Sequence, residues 1–305
     1  MPKVSIGLPV YNGENFIAEA IESLLSQTFS DFEIIICDNK STDKTESICR
    51  AFEEKDSRIR YYRNSKNLGA SPNFNRCVEL ATGIYFKWAA HDDICLPEYL
   101  QECVNCLDRN TSSTLCHSST LLIDANQKVI SKYKEEDGKF SAPDPIKRFE
   151  NAINERHQCI TVFGVIRRES LVKTTLIESY IGSDRNLIAQ LSLLGPILHV
   201  DRALFLSRDH NQRSVRALDV RERGRWFDSS KPVSEKFYYC TMFAKNIKAL
   251  FRAPLNIKER FRGFIVVTNW ARRSNLRNIA MEISRYVWHQ TPLPAARATW
   301  RRLVK

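Results

Sequence analysis

The chain has no run of about 18 consecutive apolar residues, so no membrane-spanning helix is expected. It has no basic stretch leading into an apolar one at its start. Met1-Pro2-Lys3-Val4-Ser5-Ile6-Gly7 enters a strand pattern at once, so no secretory leader is expected either. Internal repeats and low-complexity tracts are missing. No Gly-x-Gly-x-x-Gly follows the first apolar run, which argues against a dinucleotide-dependent oxidoreductase. Zinc-finger spacing and aromatic-basic RNA motifs are lacking as well, so no nucleic-acid partner is expected despite a net charge of +11. The nine cysteines are odd in number and irregularly spaced, which argues against a disulfide framework and fits a reducing cytoplasm. Cys103 and Cys106 form a lone Cys-x-x-Cys in a helical stretch beginning near Pro97. Without a second pair or nearby histidines to complete a zinc site, they read as structural.

What is present is an ordinary globular composition, 43% hydrophobic and 27% charged over 305 residues, enough for a sizeable core. Charge is divided unevenly. Residues 201–305 hold 23 Lys and Arg against 8 Asp and Glu, a balance of +15, while the first 200 residues sit at −4. That asymmetry points to an anionic partner for the C-terminal third, or else to a plain solvated basic surface.

Strand and helix patterns alternate from the start. Val4–Val10 and Phe32–Cys37 read as buried strands, Ile59–Tyr62 and Gly83–Ala89 as two more. Helical patterns cover Asn15–Gln27, a stretch ending near Glu54 that Ser41 or Thr42 could cap, and Asn73–Ala81. Such alternation predicts an α/β fold with a mostly parallel sheet flanked by helices. Ligands of such sheets bind outside the carboxyl ends of the strands. Tyr11, Asn12, Asp38, Arg63, Asn64, Asp92 and Asp93 all follow strands and are expected at one edge.

Farther on, Thr114–Tyr133 reads as two strands around a turn at Asp124-Ala125-Asn126, and Glu135–Pro145 as a loop. Ile160–Ile166 and Ile197–Ser207 read as strands and Asp184–Leu194 as a helix. The chain is mostly helical from about Val233, with pauses at Pro254, Pro292 and Pro294. The Asp92-Asp93 pair supplies hard oxygen ligands suited to Mg²⁺ or Mn²⁺. Tyr11 could stack on a base, and Asp38 could accept a hydrogen bond from one; ordinary turn chemistry is the alternative for both.

Several blocks resemble family 2 glycosyltransferases: Val4–Asn15 with Pro9-Val10-Tyr11-Asn12, Ser26-Gln27-Thr28, Glu33–Thr45, Arg63-Asn64 with Asn67-Leu68-Gly69, and Ala81–Phe86 leading to Asp92-Asp93 and Pro97. They stand in family order over about a hundred residues. The resemblance implies a GT-A fold, a nucleotide-diphosphate sugar donor, a divalent metal, Mg²⁺ or Mn²⁺, and inversion at the anomeric carbon. It implies that Pro9, Tyr11 and Glu14 line the nucleotide pocket with Asp38, Arg63 and Asn64, and that Asp92 and Asp93 serve ribose and metal. One departure stands out. The family's Asp-x-Asp-Asp has Ala90 at its first position, which leaves open which carboxylate takes which role and admits a catalytically inactive relative that only binds a glycan or nucleotide sugar.

The resemblance is weaker beyond residue 130. Phe163–Arg168 looks like the strand placed under the acceptor site. Gly182-Ser183-Asp184, with Leu187, Leu191 and Gly195, looks like the segment carrying the catalytic base. Asp184 would open its helix, where the dipole favours a carboxylate; the alternative is a plain cap. Arg208-Asp209-His210 with Ser214 looks like the family's closing segment, where His210 could join the metal shell. His117 and His157 carry no assigned role.

These readings give a GT-A domain over residues 1–230, with a nucleotide-sugar half at 1–110 and an acceptor-side half at 111–230, followed by a basic helical region at 231–305. The acceptor is expected to be a saccharide or a lipid-linked saccharide. The basic C-terminal helices, with Trp270, Tyr286, Trp288 and Trp300, could lie on an anionic membrane surface at the inner face of the cell membrane, or simply cap the fold.

Overall fold

The computed structural model describes residues 1–133, 138–154, 159–211 and 237–290, together with Glu222, Trp226, Phe227 and Ser229. The expected boundary at 230/231 lies outside them, as do His157, Ser214, Pro292, Pro294 and Trp300 and the side chains of Tyr286 and Trp288.

The first half alternates as expected: β1 (Val4–Val10), α1 (Ile17–Leu25), β2 (Phe32–Asp38), α2 (Thr45–Glu53), β3 (Ile59–Arg63), α3 (Ala70–Leu80) and β4 (Tyr85–Trp88). Then come β5 (Ile94–Cys95), α4 (Tyr99–Arg109), β6 (Leu115–Ile123), β7 (Val129–Lys132), α5 (Pro145–Asn154), β8 (Val165–Arg167), the one-turn α6 (Arg168–Leu171), α7 (Ser183–Leu194) and β9 (Ile197–Arg208). Three helical stretches close the described chain: α8 (Tyr238–Arg252), α9 (Ile257–Trp270) and, after a π-helical turn, α10 (Leu276–Gln290).

Among the described residues the strands form one sheet in the order β3-β2-β1-β4-β8-β6-β9-β5, with β7 paired to β6. The block β3-β2-β1-β4 is parallel. The sheet as a whole is mixed, because β8 runs antiparallel to both β4 and β6. β1 is buried on both faces, as a parallel strand under helices must be. One apolar layer joins Ile17, Ile21 and Leu24 of α1 and Leu100, Cys103 and Leu107 of α4 to Ile6, Leu8 and Ile34. The other joins α3, α5 and α7 to Leu115 and Ile166 and extends without a break into Met242, Leu250, Val267 and Trp270 of α8 and α9. Each fully buried Ile, Leu or Phe contributes about 1.5–3 kcal/mol, so α8 and α9 are packed parts of the same core.

Two local expectations need correction. Ile160–Phe163 is a 3₁₀ turn, and the strand begins only at Val165. A short apolar run reads the same for a buried turn as for a buried strand. Here, after a left-handed Cys159 at φ 59°, the backbone closes on itself, Val162 donating to the Cys159 carbonyl (3.1 Å) and Gly164 to the Thr161 carbonyl (3.0 Å). α2 starts at Thr45 with no side-chain cap from Ser41 or Thr42, because both are tied to Asn12 instead. All nine cysteines are free thiols, and Cys103 and Cys106 lie on α4 as expected.

Candidate active site at the carboxyl edge of the sheet

The loops after β1 and β2 are laced together. The Asn12 amide donates to Ser41 Oγ (2.9 Å), Gly13 to Thr45 Oγ1 (2.8 Å) and Glu14 to Asp43 Oδ2 (3.0 Å). In return Thr42 donates to Asn12 Oδ1 (2.9 Å) and Lys44 to Glu14 Oε2 (3.0 Å). Asn12 holds φ at 53°, a left-handed conformation that asparagine tolerates. Glu14 therefore sits in the expected loop, but its carboxylate braces one loop on the other. Gly13 is required by close approach: a Cβ there would stand 2.7 Å from Val10 Cγ2 and 2.8 Å from the His91 ring. Tyr11, at the centre of this rim, is 45% exposed. Pro9 is buried within β1, opposite Cys37.

Asp38 ends β2 with no exposure at all. Its Oδ1 accepts the Ser41 amide at 2.8 Å and its Oδ2 the Tyr61 hydroxyl at 2.6 Å, with Arg63 Nε 3.4 Å away. An ionised carboxylate offers about four acceptor sites, so little capacity is left for a ligand. Burial, and then the bond to Asp38, push the Tyr61 phenol well above its ordinary range. Arg63 ends β3, donates to the Ser41 carbonyl (2.8 Å) and lies 2.9 Å from the Glu46 carboxylate.

Asn64, expected at this edge, directs its amide into the protein. Its Nδ2 donates to Asn39 (3.0 Å) and Asn73 (2.8 Å), and its Oδ1 accepts from Arg76. Both amide protons are spent. Asn39 in turn donates to Asn67 (2.9 Å) and the Gly69 carbonyl (3.0 Å), and Asn73 to the Cys37 carbonyl (2.7 Å). This buried amide network stiffens the wall behind the site. The asparagines are scattered from 39 to 73, and their sequence gives no sign that they meet.

The end of β4 brings the carboxylates. Asp92 Oδ2 lies 2.8 Å from His210 Nε2, just past the end of β9. Asp93 faces inward: its Oδ1 accepts the Arg208 amide at 2.8 Å. Arg208, 1% exposed, donates to the Asp92 carbonyl (2.8 Å) and the Ala125 carbonyl (3.0 Å), pairs with Glu19 of α1, and stacks over Phe16. Phe16 also packs against the His210 ring, centroids 4.7 Å apart. Glu19 and Phe16 were not anticipated from the sequence as site residues. Arg208 reads there only as part of the closing segment with His210, and the fold alone brings α1 to it.

Asp184 sits in the first turn of α7, behind Gly182 at φ 87°. The segment ahead of it is pinned to the first turns of α3: Ser71 Oγ donates to the Glu178 carbonyl and Asn75 Nδ2 to the Ile177 carbonyl, both at 2.9 Å. α3 leaves the same sheet edge at which Arg63 and Asp38 end their strands, so this segment is held on that side. Burial raises the Cys159 thiol well above its ordinary value, and the Asp184 charge beside it adds to the rise. Burial likewise raises the Tyr180 phenol, followed by the charges of Glu178 and Asp184. His117, buried in β6, lies against His199 with centroids 5.1 Å apart and is not part of this edge.

Asp92 and His210 offer one oxygen and one nitrogen donor to a metal ion. Among the described residues no cluster of three or more His, Cys, Asp or Glu could hold one by itself. Two protein donors suit a Mg²⁺-type ion that takes its other ligands from substrate phosphates and water.

Comparison with known proteins agrees with this architecture. An uncharacterized glycosyltransferase of Methanocaldococcus jannaschii is 36% identical over 141 residues, which is 46% of this chain and 49% of that protein. The chain thus spans about half or less of the length of the curated relatives it matches first. Among solved structures, S. aureus TarS residues 1–349 in complex with UDP-GlcNAc superposes with a TM-score of 0.63 at 18% identity, covering 90% of this chain and 74% of that one. The mannosyltransferase PcManGT from Pyrobaculum calidifontis, in complex with GDP-Man and Mn²⁺, gives 0.52 at 13% identity over 99% and 80%. At these identities the likeness shows the GT-A fold. The family model described as glycosyl transferase family 2 matches residues 5–174, more than half of the chain, and on that match and the fold the chain belongs to glycosyl transferase family 2.

Proposed function

We propose that the chain transfers a sugar from a nucleotide-diphosphate donor to an acceptor hydroxyl, with inversion at the anomeric carbon and assistance from Mg²⁺ or Mn²⁺. The observation that carries this reading is the Asp92–His210 pair, 2.8 Å apart at the carboxyl edge of the sheet. Asp92 and His210 would hold the metal, which when bound neutralises charge on the diphosphate leaving group. Asp93 is assigned to support: its bond to the Arg208 amide fixes the loop that carries Asp92.

Tyr11 offers its exposed ring to the base, and the laced loops at 11–14 and 39–45 present backbone around it. Pro9 shapes the floor of that pocket, Glu14 and Arg63 fix its rim, and Asn64 backs it. Asp38 backs the pocket from within, fixing the Ser41 turn and the Tyr61 ring behind the base. Asp184 takes the proton from the acceptor hydroxyl as the oxygen attacks.

The acceptor is a saccharide or lipid-linked saccharide. The basic C-terminal helices meet an anionic membrane surface at the inner face of the cell membrane. Among the described residues no helix is long and apolar enough to cross a membrane. A second reading, an inactive relative that retains only nucleotide-sugar or glycan binding, rests on Ala90. The pairing of Asp92 with His210 and the placement of Asp184 favour the enzyme.

A panel of nucleotide sugars screened by thermal shift, with and without Mn²⁺, tests the reading. One donor should stabilise the protein only in the presence of metal and should be consumed when an acceptor saccharide is supplied. Binding without turnover across a broad acceptor set would favour the inactive relative.

A further inference from the structure

α9 has two different faces. Inward, Gly263, Val267 and Trp270 are buried against the core. A Cβ at Gly263 would stand 2.5 Å from the Leu250 side chain, so α8 and α9 touch there. Outward, Ile257 is 86% exposed, Phe261 66%, and Phe264 and Ile265 are exposed beside them. The spacing 257, 261, 264, 265 puts these four side chains on one stripe. Phe251, at the end of α8, is 66% exposed, and Leu276 and Ile283 of α10 are also exposed. An apolar stripe normally turns to the core. Here the core side of the helix is filled by other residues, and among the described residues nothing covers the outward one.

Lys258, Arg262, Arg272, Arg273 and Arg277 are exposed on the same two helices and the turn between them. Residues 251–284 hold seven Lys and Arg against two Glu. Both acids are spent inside the fold: Glu259 closes a capping box with Asn256, and Glu282 accepts the amides of Tyr239 and Cys240. Arg262 is ion-paired with Asp144 of the α5 entry. The result is an exposed apolar stripe with a fringe of positive charge.

We propose that the outward face of α9, continued by α10, docks in the interface of an anionic lipid bilayer, with Phe261 and Phe264 as the inserted side chains and Lys258, Arg272 and Arg273 among the headgroups. Helices of this composition lie in the plane of such an interface. Charge complementarity selects the occupant. A second copy of the chain on the same face would oppose one cationic fringe with another, a costly juxtaposition, whereas an acidic headgroup layer attracts each basic side chain near it. The inference rests on the reading above that the C-terminal helices meet an anionic membrane, and it names the surface that does so.

The test is co-sedimentation of the full chain, at low salt, with vesicles of equal parts phosphatidylglycerol and phosphatidylcholine, against vesicles of phosphatidylcholine alone. The wild type should sediment with the first and not the second. F261S/F264S should stay in the supernatant with an unchanged melting curve. R272Q/R273Q should partition about thirtyfold more weakly, from about 1 kcal/mol per basic residue near the surface. Wild-type protein that ignores the anionic vesicles, or F261S/F264S that binds them like the wild type, would overturn the proposal. So would light scattering that shows a dimer abolished by F261S/F264S without vesicle binding. Vesicle binding requires no donor. Nucleotide-sugar stabilisation measured in parallel therefore separates loss of this surface from loss of the proposed activity.

Discussion

His210 Nε2 and Asp92 Oδ2 lie 2.8 Å apart, although 118 positions separate the two residues in the chain. Asp92 stands two residues ahead of β5, and β5 pairs antiparallel with β9, Ile94 opposite Leu206, which brings Asp92 alongside the end of β9 and His210 just beyond it. Arg208 ties the two ends together. Its guanidinium and amide bind the Asp92 carbonyl and the Asp93 carboxylate, which fixes the spacing between the two strand ends.

Arg208→Met tests that role. It leaves the carbonyls of Asp92 and Ala125 and the Glu19 carboxylate without their buried partner. Breaking a buried charge pair from one side costs about 3–5 kcal/mol, and the partial exposure of Glu19 places the expected loss near 3. Urea denaturation measures it, and metal-dependent donor binding should weaken in the folded fraction. A loss under about 1 kcal/mol would fall in the range of exposed ion pairs and contradict the role.

Thr45→Val tests the lacing of the loops after β1 and β2. The substitution keeps the shape of a fully buried side chain and removes the acceptor for the Gly13 amide. An unsatisfied buried amide costs about 1–3 kcal/mol, readable by denaturation. Donor affinity should fall as well, because the loop carrying Tyr11 loses an anchor.

Asp184→Asn separates binding from chemistry. The amide keeps the shape and the acceptor oxygen that holds the Arg185 amide at 2.8 Å, but it cannot take a proton from an acceptor hydroxyl. Donor affinity should stay within about twofold while transfer falls 10²–10⁴-fold, the usual contribution of a general base. Isothermal titration and product formation read the two separately. Equal loss of both would sink the base assignment.

Cys106 gives a pH-dependent signature. A hydrogen bond from the Cys116 thiol lowers Cys106 to about 7, with help from Arg109. Its thiolate population therefore grows as pH rises through about 7. Burial holds Cys49 up at about 12. Iodoacetamide should label Cys106 ahead of the buried thiols, with a rate that climbs to half its plateau near pH 7; peptide mass mapping across pH 5–9 checks this. A midpoint near the ordinary thiol value would contradict the Cys106–Cys116 contact.

The first half of the fold was legible because its signals are local. Continuous apolar runs such as Val4–Val10 and Phe32–Cys37, alternating with amphipathic helices, allow little besides a covered parallel sheet. The carboxyl edge followed from that pattern, and with it the gathering of Tyr11, Asp38, Arg63 and Asp92. What the sequence concealed depends on partners far along the chain. That Asn64 shares its amide with Asn39, Asn73 and Arg76 is one such case. Glu19 and Phe16, at the start of α1, support the Asp92–His210 pair through Arg208 at the end of β9, and no local motif links the two elements. The apolar run Ile160–Phe163 closes into a 3₁₀ turn through backbone bonds that hydrophobic patterning does not encode.

Whether Asp92 and His210 together hold the metal on which donor binding depends is read most directly from Mn²⁺-dependent nucleotide-sugar binding in Asp92→Asn and His210→Ala, measured by titration calorimetry with and without chelator. Each variant should stay folded, lose at least about tenfold in donor affinity in the presence of Mn²⁺, and match the wild type when the metal is chelated. Wild-type-like, Mn²⁺-dependent binding in both variants would contradict that role.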